Sequence, residues 1–391
     1  MKILIKNGTI IDTRNKKPYI GDLTVGDGDD VTEIDASGKW VTLGLIDMHV
    51  HLREPGQTHK EDIQSGLRAA VAGGFTTVCA MPNTTPVVDS AKAITEQIKI
   101  AEKLNLARLL PVCAITKNLD GKELVDIEKT KDLCIGYSDD GKSVADNELL
   151  EEFFVQAAKN NVLVLAHCED PTINPHAHVS EWSIVKRDIE LAIKHGVRLH
   201  VCHVSTAESI KFIKIARKKY PHLITAEVTP HHIALTSGGS GWGNANFKMA
   251  PPLRSRRDQK AIKKALKNGI ISAIATDHAP HSVEEKGVAW EKAPNGVIGM
   301  ETAVGVCVTE LFHGGWLKPT ELIALFTTKP ADILGITPNP ADITIIDPNA
   351  EWTVDAEKFE SKSRNCPFNG RKLRGRVTHT IVDGKVVFPF I

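Results

Sequence analysis

Eight short apolar runs, at 43–51, 75–82, 106–115, 133–138, 162–167, 198–203, 223–229 and 270–276, alternate with stretches that read as amphipathic helices. The segments 60–72, 90–104, 147–160 and 207–219 show the helical pattern. Such a chain lays its strands parallel, because each helix carries it back across the sheet before the next strand begins. Eight repeats predict an α/β fold of the (β/α)8 barrel type. An open doubly wound sheet would have fewer strands and a Gly-rich first turn. Neither G-x-G-x-x-G nor a Walker sequence occurs, so nucleotide binding finds no support.

The two ends differ from this middle. Residues 2–43 and 341–391 alternate short β-type runs with Gly, Asp and Asn turns. Neither end can bury a sheet face alone. They are therefore expected to pair into one small β-sandwich, formed by 1–43 plus 341–391, beside a barrel of 44–340.

At 391 residues the chain can bury a large core. Lys+Arg and Asp+Glu balance at 48 each, which speaks against a nucleic-acid or acidic-membrane partner. The basic stretch 211–219 reads as the solvated face of a helix. No apolar span reaches membrane length, and the N-terminus lacks a long apolar core and a small-residue cleavage site. The seven cysteines show no paired spacing, which fits a reducing compartment. The expectation is a cytoplasmic enzyme.

The residues closing the runs carry the chemistry. The first run ends in His49 and His51, which share a strand face. The fourth ends in Asp139-Asp140, the fifth in His167, the sixth in His203 and the eighth in Asp277. In a barrel these ends converge on one rim. Imidazoles with carboxylates and no thiolate suit zinc in an open site, with manganese or cobalt as alternatives. Such a cation lowers the pKa of water to about 7, and Asp277 could carry the proton to a leaving nitrogen. Two cations need a bridging anion. Either aspartate of the fourth run could serve, since strand periodicity does not choose between them.

Arg53 follows His51 by two and can grip a carboxylate. Asn83 closes the second run, and His281 lies four residues past Asp277. These three make a candidate substrate pocket. His231 and His232 are expected to be structural. His176, His178, His195, His200 and His222 are read as surface or packing residues. Cys202 is expected to face the helix layer because it precedes His203, while Cys79 and Cys113 are read as core and Cys168 as no ligand.

The segments DMHVHLREPGQTHKEDIQSGLRAAVAGGFTTVCAMPNTTP, ATDHAPH and PFNGRKLRGRVTHTIVDGKVVF resemble those of the dihydroorotase family, class I branch, of the amidohydrolase superfamily. The resemblance covers nearly the whole chain. It implies two zinc ions, one held by His49, His51 and Asp277 and the other by His167 and His203. Asp140 would bridge them in place of the carbamylated lysine of many relatives. It also implies that Asp277 is general base and acid, that Arg53, Asn83 and His281 hold the substrate carboxylate, and that the loop 295–299 faces the ring. The implied reaction is the reversible cyclisation of N-carbamoyl-L-aspartate to L-dihydroorotate in pyrimidine synthesis, with association with aspartate transcarbamoylase as an implied partnership.

Two departures stand out. Ala250 occupies the place of a family asparagine in an N-P-P-L-R segment, and the stretch between His167 and His203 is short. Rival readings are a hydantoinase or allantoinase on the same barrel and a scaffold that has lost catalysis. Arg53, Asn83 and the absent strand-four lysine argue against the first, and the full ligand set against the second.

Overall fold

The computed structural model describes residues 2–14, 17–239, 241 and 243–389. Four strands come first: β1 (Lys2–Ile10), β2 (Tyr19–Val25), β3 (Val31–Asp35) and β4 (Trp40–Leu43). Eight more follow: β5 (Leu45–Val50), β6 (Phe75–Ala80), β7 (Arg108–Cys113), β8 (Gly136–Tyr137), β9 (Leu163–Ala166), β10 (Arg198–Val201), β11 (Ile224–Val228) and β12 (Ala273–Ile274). The last are β13 (Ile343–Thr353), β14 (Lys372–Val382) and β15 (Lys385–Phe388).

Strands β5 to β12 lie in chain order as one parallel sheet, and it curls into a nearly closed barrel. At the upper rim the seam between β5 and β12 is bridged by Val50 and His278, and His51 N donates to His278 O at 2.8 Å. At the lower end the strands splay. There Ile46 N donates to Phe326 O and Ile274 N to Leu325 O, so a loop satisfies groups that a ladder would otherwise pair. Buried Asp47 reinforces the seam by accepting from Thr276 N (2.9 Å) and Oγ1 (2.6 Å).

Alternate residues face in and out. Ile46, Met48, Cys79, Met81, Leu163, Leu165, Ala273 and Ala275 fill the barrel, floored by Ile333 and Leu334. Val78, Val164, Leu199, Val201, Ala226 and Ile274 pack outward among the helices. The helices Asn147–Asn160 and Ala207–Lys219 have the bounds the periodicity predicts. The other two begin later, at Ile63 and Ala91, because Asp62 and Ser90 are N-caps whose side chains accept from Ser65 N and Ala93 N. The runs 133–138 and 270–276 contract to two-residue strands. Beyond β8, the side chain of Asp139 takes the N–H groups of Ile115 and Thr116 and replaces the ladder.

The chain ends share one seven-stranded sheet, β15-β14-β13-β4-β1-β2, with β3 parallel to β1. The ends join where β13 runs antiparallel to β4, Ile343 opposite Leu43. Ile3, Ile5, Val41, Ile343, Ile345 and Ile381 form its core. This sheet meets the barrel at Gly74 (φ 91°), where a Cβ would lie 2.8 Å from Thr344 Cγ2. Only glycine suits both the left-handed backbone and that approach.

Candidate active site

A bulge in β5 aims the first two imidazoles. The register against β6 slips between Asp47 and Val50, so Met48 points inward while Val50 packs outward. His49 and His51 thereby both enter the cup, with ring centroids 5.3 Å apart. His167 continues the inward parity of Leu163 and Leu165, and Asp277 that of Ala273 and Ala275. Beyond β8, Tyr137 packs outward. Asp139 follows it outward and is held by Ile115 N (2.7 Å) and Thr116 N (2.9 Å). Asp140 is left facing the cup. Arg53 (φ 61°), His203 (φ 35°) and Asp277 (φ 49°) adopt left-handed backbone, an unfavourable conformation for side-chain-bearing residues that clusters at functional sites.

Asp140 is the hub. Its Oδ1 lies 3.2 Å from His49 Nε2, 3.5 Å from His167 Nδ1 and 3.6 Å from His203 Nε2, and its Oδ2 3.4 Å from His51 Nε2. Asp277 Oδ1 lies 3.1 Å from His51 Nε2 and 3.7 Å from His49 Nε2. His167 Nδ1 faces His203 Nε2 at 3.0 Å. Despite this crowding, His49 Nε2 and Asp140 Oδ1 are fully buried and form no hydrogen bond among the described residues. Lone pairs that converge without bonding one another fit ligands of a shared cation. His49, His51 and Asp140 form one such group, and Asp140, His167 and His203 a second.

Electrostatics favours the same occupant. Burial opposes charge on Asp140, yet His49, His167 and His203 hold it well below the usual carboxylate range. Asp277 is also lowered, against its burial, by His51 and His49. The compensation falls on the rings. His167 is raised to about 10 despite burial, by Asp140 and Glu169, and Asp140 raises His49 similarly. A divalent cation would neutralise both carboxylates and return the imidazoles to their neutral, ligating form.

Beneath the cup lies a layer that sequence reading missed. Glu227, buried on β11, faces His49 Nδ1 at 3.1 Å and His200 Nε2 at 3.1 Å. Its one signal was an acidic residue inside an apolar strand, ITAEV. Of the two readings given for His200, surface or packing, the second holds: it is fully buried and also meets Thr225 Oγ1 at 2.8 Å. The reading of Cys202 is corrected. Cys202 packs with the barrel interior beside His49, as alternation after outward Val201 requires, and the left-handed turn at His203 brings that residue inward too. Glu169 steadies His167 Nε2 at 3.1 Å. His232 is held by Thr229 Oγ1 (2.8 Å) and Pro251 O (3.0 Å), a structural part, whereas buried His231 Nε2 has no partner among the described residues. Carboxylates that orient ligating histidines typically contribute 10–100-fold to metal affinity. Glu227→Gln is accordingly expected to weaken metal retention by about that factor, measured by competition with a chelator.

The candidate substrate residues stand to one side. The guanidinium of Arg53 donates through Nε to Pro280 O at 3.1 Å and makes no other hydrogen bond with the described residues. Burial lowers it to about 10, so it stays a cation, and Asp277 and Asp140 support its charge. Asn83 turns its carbonyl to His51 Nδ1 (2.8 Å), and its amide only approaches Asp140 O (3.5 Å). His281 is pushed down to about 3 by burial and by Arg53, Lys60 and Lys286. Its Nδ1 faces Glu285 Oε2 at 3.3 Å, and its Nε2 meets Asn295 O at 2.8 Å. That bond fixes the loop 295–299. Gly296 (φ 134°) is required there, since a Cβ would lie 2.8 Å from Ala279 O. Asn365, from the tail, clamps the same loop by donating to Ala279 O and Gly296 O at 3.1 Å each. Ala250 lines a 210 Å³ cavity with Met249 and Asn295.

Comparison with known proteins accords with this geometry. The chain matches the amidohydrolase family over residues 40–387. It is 41% identical over 426 aligned positions to a dihydroorotase of Anaeromyxobacter dehalogenans (strain 2CP-1 / ATCC BAA-258), covering 98% of this chain and 97% of that one. The chain belongs to the dihydroorotases of the amidohydrolase family. A second relative, the dihydroorotase of Pelotomaculum thermopropionicum, is 41% identical over 99% of this chain and 98% of its own. Among solved structures, L-hydantoinase (dihydropyrimidinase) from Arthrobacter aurescens superposes with a TM-score of 0.87 at 26% identity, covering 98% of this chain and 95% of that one. A dihydropyrimidinase from Brevibacillus agri shares the fold, with a TM-score of 0.82 at 22% identity over 99% and 95% of the two chains.

Proposed function

We propose that this chain catalyses the reversible cyclisation of N-carbamoyl-L-aspartate to L-dihydroorotate and water, in the pyrimidine route to UMP. The observation that carries this reading is the buried Arg53 cation, two residues from His51, with most of its hydrogen-bonding capacity uncommitted beside the His/Asp cluster. A neutral cyclic amide would not need it; a ring bearing a carboxylate would.

His49, His51 and Asp277 would hold one zinc ion and His167 and His203 a second, with Asp140 shared by both groups. Zinc, when bound, supplies Lewis acidity and a water of lowered pKa. The protein's own groups do the rest. Arg53 orients the ring by its carboxylate, and Asn83 can offer its amide. In the hydrolytic direction Asp277 accepts the proton of the attacking water and returns it to the departing ring nitrogen. In synthesis the same carboxylate runs the steps in reverse. His281 and Asn365 hold the loop that covers the ring.

The division into a barrel of 44–340 and a unit of 1–43 plus 341–391 is supported by the pairing of β13 with β4. Seven free cysteines, six of them buried, support a reducing, cytoplasmic location. Association with an aspartate transcarbamoylase rests on the family likeness, and co-elution of the two proteins tests it.

Ring opening of L-dihydroorotate by purified, zinc-supplied protein, with hydantoin and allantoin run alongside, tests the function. Turnover of dihydroorotate alone supports it, and turnover of only a neutral ring overturns it. Arg53→Met should raise KM for dihydroorotate roughly 10- to 100-fold, the usual worth of a charged hydrogen bond, with kcat within a few-fold. Normal KM in that variant would remove Arg53 from the carboxylate.

A further inference from the structure

We propose that the opposite end of the barrel carries a binding site for a phosphate-bearing small molecule, held by Arg198, Arg217 and Lys329. A 250 Å³ cavity opens there among the first residues of β9 and β10, the start of β11, Ser272 ahead of β12, and the helix Thr328–Leu334. Three permanent cations line it against one carboxylate, Asp332. None of the three forms an ion pair with any described residue.

Their partners inside the protein are few. Arg217 donates to Ile270 O at 2.9 Å and to Ser272 Oγ, and Arg198 donates to Ile333 O at 3.3 Å. Lys329 makes no hydrogen bond among the described residues. Arg217 belongs to the stretch that reads as a solvated helix face, yet it turns inward and is half-buried. Half-buried cations without an ion-pair partner are costly, and an anion between them removes the cost. Burial, with Arg217 beside it, lowers Lys329, while Glu321 pulls the other way.

The donor set selects the ligand class. Two guanidinium forks and one ammonium match the several oxygens of a phosphate better than a single carboxylate. Leu163, Leu223 and Ile333 add apolar wall for a small remainder such as a sugar. The cavity is smaller than most drug-sized pockets, which limits that remainder. The site is distinct from the His/Asp cup, because its residues start the strands that His167 and His203 end.

The test is calorimetric titration of the metal-loaded protein with inorganic phosphate and with ribose 5-phosphate, each in saturating L-dihydroorotate. The expected result is one site per chain, unaffected by dihydroorotate, and weakened about tenfold or more in Lys329→Gln and in Arg198→Gln. Lys329→Gln should keep its melting temperature and its ring-opening rate, since that side chain makes no hydrogen bond among the described residues. Equal affinity for the two probes identifies the phosphate ion as the ligand; tighter binding of ribose 5-phosphate identifies a phosphorylated metabolite. Displacement by dihydroorotate, undiminished affinity in both variants, or no binding of either probe would overturn the proposal.

Discussion

Asp277→Asn should lower kcat for dihydroorotate ring opening by about 10²- to 10⁴-fold, the range for loss of a positioned general base and acid. Asparagine keeps the shape of the side chain and its contact with His51, which stands 3.1 Å from Oδ1. What disappears is the basic oxygen. In the wild type His51 and His49 hold this carboxylate below the usual range against its burial, so it is ionised throughout the neutral region. The base form is thus present at every assay pH where the fold is intact, and the variant has none at any pH. A cation bound through the remaining ligands should persist. The check is kcat together with metal content and melting temperature. Near-normal turnover would remove Asp277 as proton carrier, whereas lost turnover with lost metal would make it chiefly a ligand.

Asp140 and Asp139, adjacent in sequence, should fail in opposite ways. Asp140→Ala removes the oxygens that lie within 3.6 Å of four imidazoles. Metal retention and turnover should both collapse, leaving a protein whose His rings no longer have a buried counter-charge. Asp139→Ala leaves every candidate ligand in place. It strips the buried N–H groups of Ile115 and Thr116 of their acceptor, at a cost of about 1–3 kcal/mol for each group left unpaired. That variant should melt earlier yet keep its metal. Metal analysis and thermal melts on the two proteins decide it. Metal loss in the Asp139 variant, with retention in the Asp140 variant, would reverse the assignment.

The architecture and most of the site chemistry were legible in the chain. Apolar runs of strand length separated by helical periodicity leave few topologies, and polar residues that close such runs must meet at one rim of a barrel. The residues His49, His51, His167, His203 and Asp277 could be named on that ground alone. Their aim could not. Period-two alternation assigns a face only while the backbone stays regular. It carried through to His167 and Asp277, but not past Met48, where the bulge turns His49 inward as well, nor at the left-handed turn of His203. Regular alternation after outward Val201 puts Cys202 inside the barrel, and the irregular residue is its neighbour His203, from which its face had been read. The family resemblance already points to Asp140, but alternation separates it from Asp139 only once Tyr137 is placed facing outward. Glu227, His200 and Asn365 act through partners distant in sequence, such as Glu227 with His49 and Asn365 with Gly296. Local pattern thus determined which residues are available and at which end of the fold. Backbone irregularity and long-range packing, which no short window of sequence contains, decided where each side chain points and what it touches.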